Sequence, residues 1–178
     1  MPETALIVVD VQAGIVNERT YQKDAFIAAV QVLLGAARKK GAPVIFIRHS
    51  DGEGTRFAPG NADWQIAEEV APFADEPIID KRCNSAFYRT DLQDRLEKLG
   101  AKTLVLAGMM CEYCLDATVK SAFERDYRVV LAPEANTTRV DNCGIPGGTL
   151  HHFYNHTIWN NRFATVLPIG EVCRDYLS

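Results

Sequence analysis

Short apolar segments alternate with amphipathic segments along most of the chain, and this alternation limits the folds that it can adopt. Residues 5–9 form a continuous apolar run that ends at Asp10. Such a run is typical of a strand buried on both faces, as in a parallel sheet. A helical pattern follows over residues 23–40, and Gly41 is placed to end that helix.

The same alternation continues to residue 167. The sequence predicts further strands at residues 43–47, 76–80, 103–107, 128–131 and 164–167. It predicts helices at residues 63–70, 90–99, 112–124 and 149–160, the second of them opened by a capping box, Thr90-Asp91-Leu92-Gln93. Strands that alternate with helices favour right-handed crossovers. We therefore predict a doubly wound, Rossmann-like α/β fold, with about six parallel strands and helices on both faces.

Composition narrows the functional class. The 178 residues suit one domain, which we place over the whole range 1–178. The net charge is −4 and no basic stripe is present, so nucleic acid is not an expected partner. No apolar run reaches the roughly 20 residues that span a bilayer, and residues 1–4 lack the basic region of a signal peptide. We expect a cytoplasmic protein that does not bind membranes.

Three chemically active side chains follow predicted strands. Asp10 follows the first strand, Lys81 follows the third, and Cys114 lies in the segment after the fourth. Because ligands of parallel sheets bind beyond the carboxyl ends of the strands, we expect all three at one edge. The arrangement brings together an acid, a base and a thiol.

These residue types suit nucleophilic catalysis. Cys114 is predicted near a helix N-terminus, where partial positive charge favours thiolate, and a nearby Lys81 would lower the thiol pKa further. Asp10 could take the thiol proton and return it to a leaving amine. The backbone N–H groups of Met110 and Cys114 could bind an oxyanion.

Three sequence blocks carry a family resemblance. They are Val8-Val9-Asp10-Val11-Gln12, Lys81 before Ser85-Ala86-Phe87, and Gly108-Met109-Met110-Cys111-Glu112-Tyr113-Cys114-Leu115-Asp116-Ala117-Thr118. In order and spacing the chain resembles the isochorismatase-like cysteine hydrolases from about residue 4 to residue 166.

The resemblance implies an Asp10-Lys81-Cys114 triad and a cis peptide bond between Met109 and Met110. It also implies hydrolysis of a small amide or carbamoyl substrate through a covalent Cys114 intermediate, without a cofactor. Isochorismate-cleaving members act on an enol ether instead, and that alternative stays open. Members commonly form dimers or tetramers, so a homodimer or homotetramer is expected.

Three positions depart from the family pattern. The family often has Thr or Ser at the position of Cys111, and commonly has Gly at the position of Asp126. The nicotinamidase branch has a metal motif of one Asp and two His after the second strand, whereas residues 49–53 here contain the single histidine His49. A metal site of that type is therefore not expected.

Other functions fit parts of the sequence. Cys111 and Cys114 have the C-x-x-C spacing of a thiol redox protein, which is the main rival interpretation. A binding module without catalysis is a third class, and the intact triad argues against it. His152 and His156 have a metal-compatible spacing, although a solvent or subunit contact is the simpler interpretation.

Candidate substrate contacts lie in or beside the predicted loops at this edge. Trp64, Phe87, Tyr88 and Tyr113 could form an apolar wall around a small planar substrate, or they could pack in the core. Gln12, two residues after Asp10, is a further candidate substrate contact. The loop 49–61 and the segment 136–156 are expected to shape specificity.

Overall fold

The computed structural model describes residues 3–177 and contains one six-stranded parallel sheet, as the sequence predicted. Its strands are β1 (Thr4–Val9), β2 (Val44–His49), β3 (Ile78–Lys81), β4 (Thr103–Met109), β5 (Arg128–Thr137) and, after a small antiparallel pair β6 (Asp141–Asn142) and β7 (Ile145–Pro146), β8 (Thr165–Val166). The spatial order β3-β2-β1-β4-β5-β8 is that of a doubly wound fold.

Five α-helices accompany the sheet: α1 (Lys23–Lys40), α2 (Leu92–Leu99), α3 (Asp116–Phe123), α4 (Gly147–Phe153) and α5 (Ile169–Tyr176). The predicted bounds of α1 are confirmed, and Gly41 ends this helix in the left-handed conformation. No helix within residues 3–177 is both long and apolar enough to cross a membrane.

The two faces of the sheet bury different halves of each strand. In β1, Leu6 and Val8 pack with Val30 of α1 on one face. Ala5, Ile7 and Val9 belong to the cluster on the other face, which contains residues of α2 and α3. Because successive side chains of a strand point to opposite faces, a strand covered on both sides must be apolar throughout. The uninterrupted run at residues 5–9 has this cause.

The strand order reverses between β1 and β4, which are adjacent in the sheet but continue toward opposite edges. Ligands of doubly wound folds bind at the carboxyl ends of the strands at this switch point. Gly108 lies there with a φ of 129°, and a Cβ at this position would collide with the carbonyl oxygen of Val9. Glycine therefore allows the end of β4 to approach β1 closely.

Several local predictions were wrong. The capping box is not formed, because α2 begins at Leu92, Thr90 donates to the Ala86 carbonyl, and Gln93 donates to Glu97. The predicted helix at residues 63–70 is two short 3₁₀ turns, Ala62–Trp64 and Glu68–Val70.

Other elements differ in length or type. The predicted helix at residues 112–124 is a π-helical turn, Cys111–Leu115, followed by α3. The predicted helix at residues 149–160 is α4 followed by a second π-helical turn, Tyr154–Trp159. Strand β5 extends six residues beyond its predicted end at Leu131, through a shift in register against β4.

Candidate active site

The carboxyl ends of β1, β3 and β4 bring Asp10, Lys81 and Cys114 together. Lys81 Nζ lies 2.7 Å from Asp10 Oδ2 and 3.2 Å from Cys114 Sγ. The side chains of Lys81 and Asp10 are 0% and 2% exposed, so water screens this ion pair poorly. The structure thus brings together the three residues that the sequence placed at one edge.

Asp10 is fixed by its backbone. Its φ of 54° lies in the left-handed region, which Asp tolerates better than most residues, and its N–H donates to the Ile47 carbonyl at the end of β2. Beyond the ion pair with Lys81, no described group donates a well-aligned hydrogen bond to the buried carboxylate. Its lone pairs are therefore available to accept a proton.

The Lys81 ammonium remains charged although it is buried. Burial alone would lower the pKa of Lys81, but the Asp10 carboxylate and the Cys114 sulfur more than offset this, so the pKa is raised. A carboxylate oxygen of Asp10, a ring nitrogen of His49 and the Cys114 sulfur lie within 4.8 Å of one another. The ammonium lies among these three atoms and supplies the positive charge of the site.

The expectation of a low thiol pKa was wrong. Burial first, and the neighbouring Asp10 charge second, raise the pKa of Cys114 to about 12, because Lys81 lowers it by less than these two causes raise it. The resting nucleophile is therefore a neutral thiol, and sulfur attack requires proton removal at the moment of reaction. Asp10 is the carboxylate in position to remove it.

The backbone before Cys114 has the geometry that the resemblance implied. The peptide bond between Met109 and Met110 is cis. Met110 directly precedes the π-helical turn, and its carbonyl accepts hydrogen bonds from the N–H groups of Tyr113 and Leu115. An acid–base carboxylate, a buried cation and a thiol in the π-helical turn before α3 can together perform acyl transfer.

Comparison with known proteins assigns this arrangement to a family. The family model described as Isochorismatase domain matches residues 4–168. The chain belongs to the isochorismatase family. It is a hydrolase of this family, and its α/β fold is the family's fold.

Relatives of this isochorismatase-family hydrolase include an uncharacterized member of the family and proteins with named activities. It is 34% identical to the uncharacterized isochorismatase family protein YddQ of Bacillus subtilis, over 92% of this chain and 94% of that protein. It is 29% identical to nicotinamidase 3 of Arabidopsis thaliana, over 75% and 73% of the two chains. The crystal structure of N-carbamoylsarcosine amidase from Thermoplasma acidophilum superposes with a TM-score of 0.76 at 25% identity, covering 95% of this chain and 97% of that one.

Two predicted substrate contacts of this hydrolase, Gln12 and Phe87, are buried. Gln12 is fully buried, and its side-chain amide bonds the backbone of His49 and the Trp64 carbonyl. Phe87 is 6% exposed and stacks on Tyr127 within the core. The burial and the internal contacts of these two side chains argue against a role in substrate binding, which stays a prediction.

The other aromatic candidates remain predictions. The Trp64 ring is partly buried and is covered by the Arg48 guanidinium, 3.2 Å from its centroid. Tyr88 is exposed. Tyr113 is 41% exposed beside the nucleophile, and its hydroxyl accepts a hydrogen bond from Asn142. Of these, Tyr113 has accessible surface next to Cys114.

The two cysteines of the C-x-x-C spacing have different surroundings. Cys111 is fully buried, its sulfur donates to Asn136 Oδ1 at 3.1 Å, and burial raises its pKa well above the ordinary value. Dithiol exchange requires an accessible thiol of low pKa, so this environment argues against the redox interpretation. His152 and His156 are exposed with ring centroids 4.5 Å apart, and they join no third potential metal ligand among the described residues.

Sequence reasoning missed two neighbours of the triad. His49 ends β2, and its Nδ1 lies 3.4 Å from Lys81 Nζ. Asn84 Oδ1 lies 3.8 Å from Cys114 Sγ. His49 could have been found, since the strand-end rule that selected Asp10 and Lys81 applies equally to β2. Asn84 lies in a loop, where no such rule operates.

Proposed function

We propose that the protein hydrolyses the C–N bond of a small amide or carbamoyl compound, with Cys114 as the nucleophile. The observation that carries the proposal is the buried ammonium of Lys81, which contacts both the Asp10 carboxylate and the Cys114 sulfur. The named amidase activities of nicotinamidase 3 and N-carbamoylsarcosine amidase support an amide rather than another acyl substrate.

In the first half-reaction, Asp10 takes the Cys114 proton as the sulfur attacks the carbonyl carbon. The backbone N–H groups of Met110 and Cys114 stabilise the oxyanion that forms. The C–N bond then breaks, and Asp10 delivers its proton to the leaving nitrogen. The amine or ammonia departs, and a thioester remains on Cys114.

In the second half-reaction, water attacks the thioester carbonyl while Asp10 takes the water proton. The C–S bond breaks, Asp10 passes the proton taken from water to the Cys114 sulfur, and the acid product leaves. Lys81 opposes the negative charge on sulfur whenever that charge develops, because its ammonium lies 3.2 Å away. The same residue holds the Asp10 carboxylate beside the reacting atoms.

The test is ammonia release from a panel of small amides, ureides and carbamoyl compounds. Wild type and Cys111→Ser are expected to release ammonia, whereas Cys114→Ser is expected to release none above background. Cys111→Ser is the matched control because it removes the buried thiol three residues away. Equal activity in Cys114→Ser would contradict the proposal, and release of a ketone from an enol ether with no amide turnover would favour the ether-cleaving alternative.

A further inference from the structure

The Lys81 ammonium has three N–H donors and three acceptors around it. Two acceptors are the Asp10 carboxylate at 2.7 Å and the Cys114 sulfur at 3.2 Å. The third is Nδ1 of His49 at 3.4 Å. Because the Lys81 side chain is 0% exposed, water does not replace a lost protein acceptor. His49 therefore completes the coordination of the buried cation.

A second contact fixes the form of the histidine. Nε2 of His49 lies 2.8 Å from Asp51 Oδ1. An ammonium can only donate, so Nδ1 must hold a lone pair, and the ring proton must lie on Nε2, where it is donated to Asp51. Asp51 thus selects the neutral tautomer that Lys81 needs.

We propose that His49, held by Asp51, is a positioning residue for the hydrolytic reaction: it fixes the Lys81 ammonium against Asp10 and Cys114, and its protonation releases that ammonium. This inference rests on the proposed function of the triad. His49 does not contact the substrate in this role. It acts through Lys81, whose orientation decides how well the charge on sulfur is opposed.

The role makes activity depend on the charge of His49. Four charged or titratable groups face this ring: Lys81 from β3, Asp10 from the end of β1, Cys114 from the π-helical turn, and Asp51 from its own loop. A protonated His49 would place an N–H donor against the Lys81 ammonium. The contact would then turn from attractive to repulsive, and turnover would fall on the acid side.

Two substitutions separate positioning from mere packing. In His49→Gln a carbonyl oxygen can still accept from Lys81 but cannot titrate, whereas His49→Leu removes the acceptor. We expect His49→Leu to lower kcat by about ten- to a hundredfold with little change in KM, as for a misplaced catalytic group. We expect His49→Gln to keep most of kcat and to extend activity to lower pH. His152→Leu is the control, since His152 is exposed and away from Lys81.

A readout that needs no substrate keeps this test separate from that of the proposed function. Alkylation of Cys114 by iodoacetamide, followed by peptide mass spectrometry, is expected to slow several-fold in His49→Leu and to stay near wild type in His49→Gln. Failure of the amide panel with this alkylation pattern would reject the amidase activity but keep the role of His49. Equal alkylation rates and equal pH profiles in all three proteins would overturn it.

A loss of activity caused by misfolding must also be distinguished from a loss of the positioning role of His49. If circular dichroism shows that His49→Leu does not fold, the pair Asp51→Ala and Asp51→Asn replaces it, because Asp51 is exposed. The Asn side-chain oxygen in Asp51→Asn can still accept a hydrogen bond from Nε2–H, so this variant is expected to keep more activity than Asp51→Ala. Asp51→Ala is expected to lose activity several-fold, and an unchanged Asp51→Ala enzyme would overturn the proposal.

Discussion

Replacing Asp10 by Asn should change two properties of the enzyme in opposite directions. Hydrolysis should fall by about 10²- to 10⁴-fold, the usual contribution of a general acid–base. The reactivity of the resting thiol should rise, because the Asp10 charge is one cause of the raised Cys114 pKa. A side chain that is only structural would not produce this opposition.

The size of the second effect follows from the geometry. An Asp10 oxygen and the Cys114 sulfur lie within 4.8 Å of each other. At that distance two unit charges repel by about 3.5 kcal/mol with an effective dielectric constant of about 20. Removing the carboxylate charge would raise the thiolate population about 300-fold. Thiolate nucleophilicity falls with its pKa, so alkylation should accelerate by roughly tens of fold.

The assay follows the alkylation of Cys114 by iodoacetamide at about pH 8 with peptide mass spectrometry, beside ammonia release from the best amide. A fragment spectrum separates Cys114 from Cys111, which lies in the same tryptic peptide. Asp91→Asn is the control, because Asp91 is exposed and pairs with Arg95. If alkylation slowed together with hydrolysis in Asp10→Asn, the conclusion that the Asp10 charge raises the Cys114 pKa and limits the reactivity of the thiol would be refuted.

Three further changes should have measurable effects. Lys81→Met should slow both hydrolysis and Cys114 alkylation, since Lys81 lowers the thiol pKa, and urea unfolding should show a loss of about 3–5 kcal/mol because Asp10 is left buried and unpaired. Gly108→Ala should lower the thermal midpoint strongly, since its Cβ meets the Val9 carbonyl; an unchanged midpoint in calorimetry would contradict the close approach. From the ordinary cysteine value of about 9 up to about 12, the unfolded chain loses the Cys114 proton while the folded protein keeps it. The free energy of unfolding should therefore fall with rising pH, and less steeply in Cys114→Ser when denaturation is compared at about pH 8 and pH 10.

Much of the fold could be predicted from the sequence, because a strand that is buried on both faces has a continuous apolar sequence. Strand β1 is apolar at every position from Ala5 to Val9, and helix α1 has both its periodic pattern and its terminal glycine. Short elements and elements with a weak apolar pattern are harder to recognise in the sequence. Helix α5 and the β6–β7 pair were not predicted, and the extension of β5 beyond Leu131 passes through Pro133 and Glu134, which interrupt its apolar pattern.

The residues of the site that could be predicted are those that follow the carboxyl ends of the strands. The strand-end rule selects Asp10 and Lys81 without any knowledge of distances. It does not give the balance of burial and charge at Cys114, which depends on how deeply three side chains lie together. Nor does it separate Phe87, whose ring lies in the core, from Tyr113, whose ring is accessible, because both follow strands that end at the same edge of the sheet.

The contacts of Lys81 span four neighbouring strands of the sheet. Lys81 ends β3, His49 ends β2, Asp10 follows β1, and Cys114 follows β4. A chain in which one of these strands were missing or shifted in register could have nearly full helix and strand content and still lack the cluster. The triad therefore forms only when the sheet is assembled. During refolding, catalytic activity should appear after the strands have joined in their final order, and later than the recovery of secondary structure.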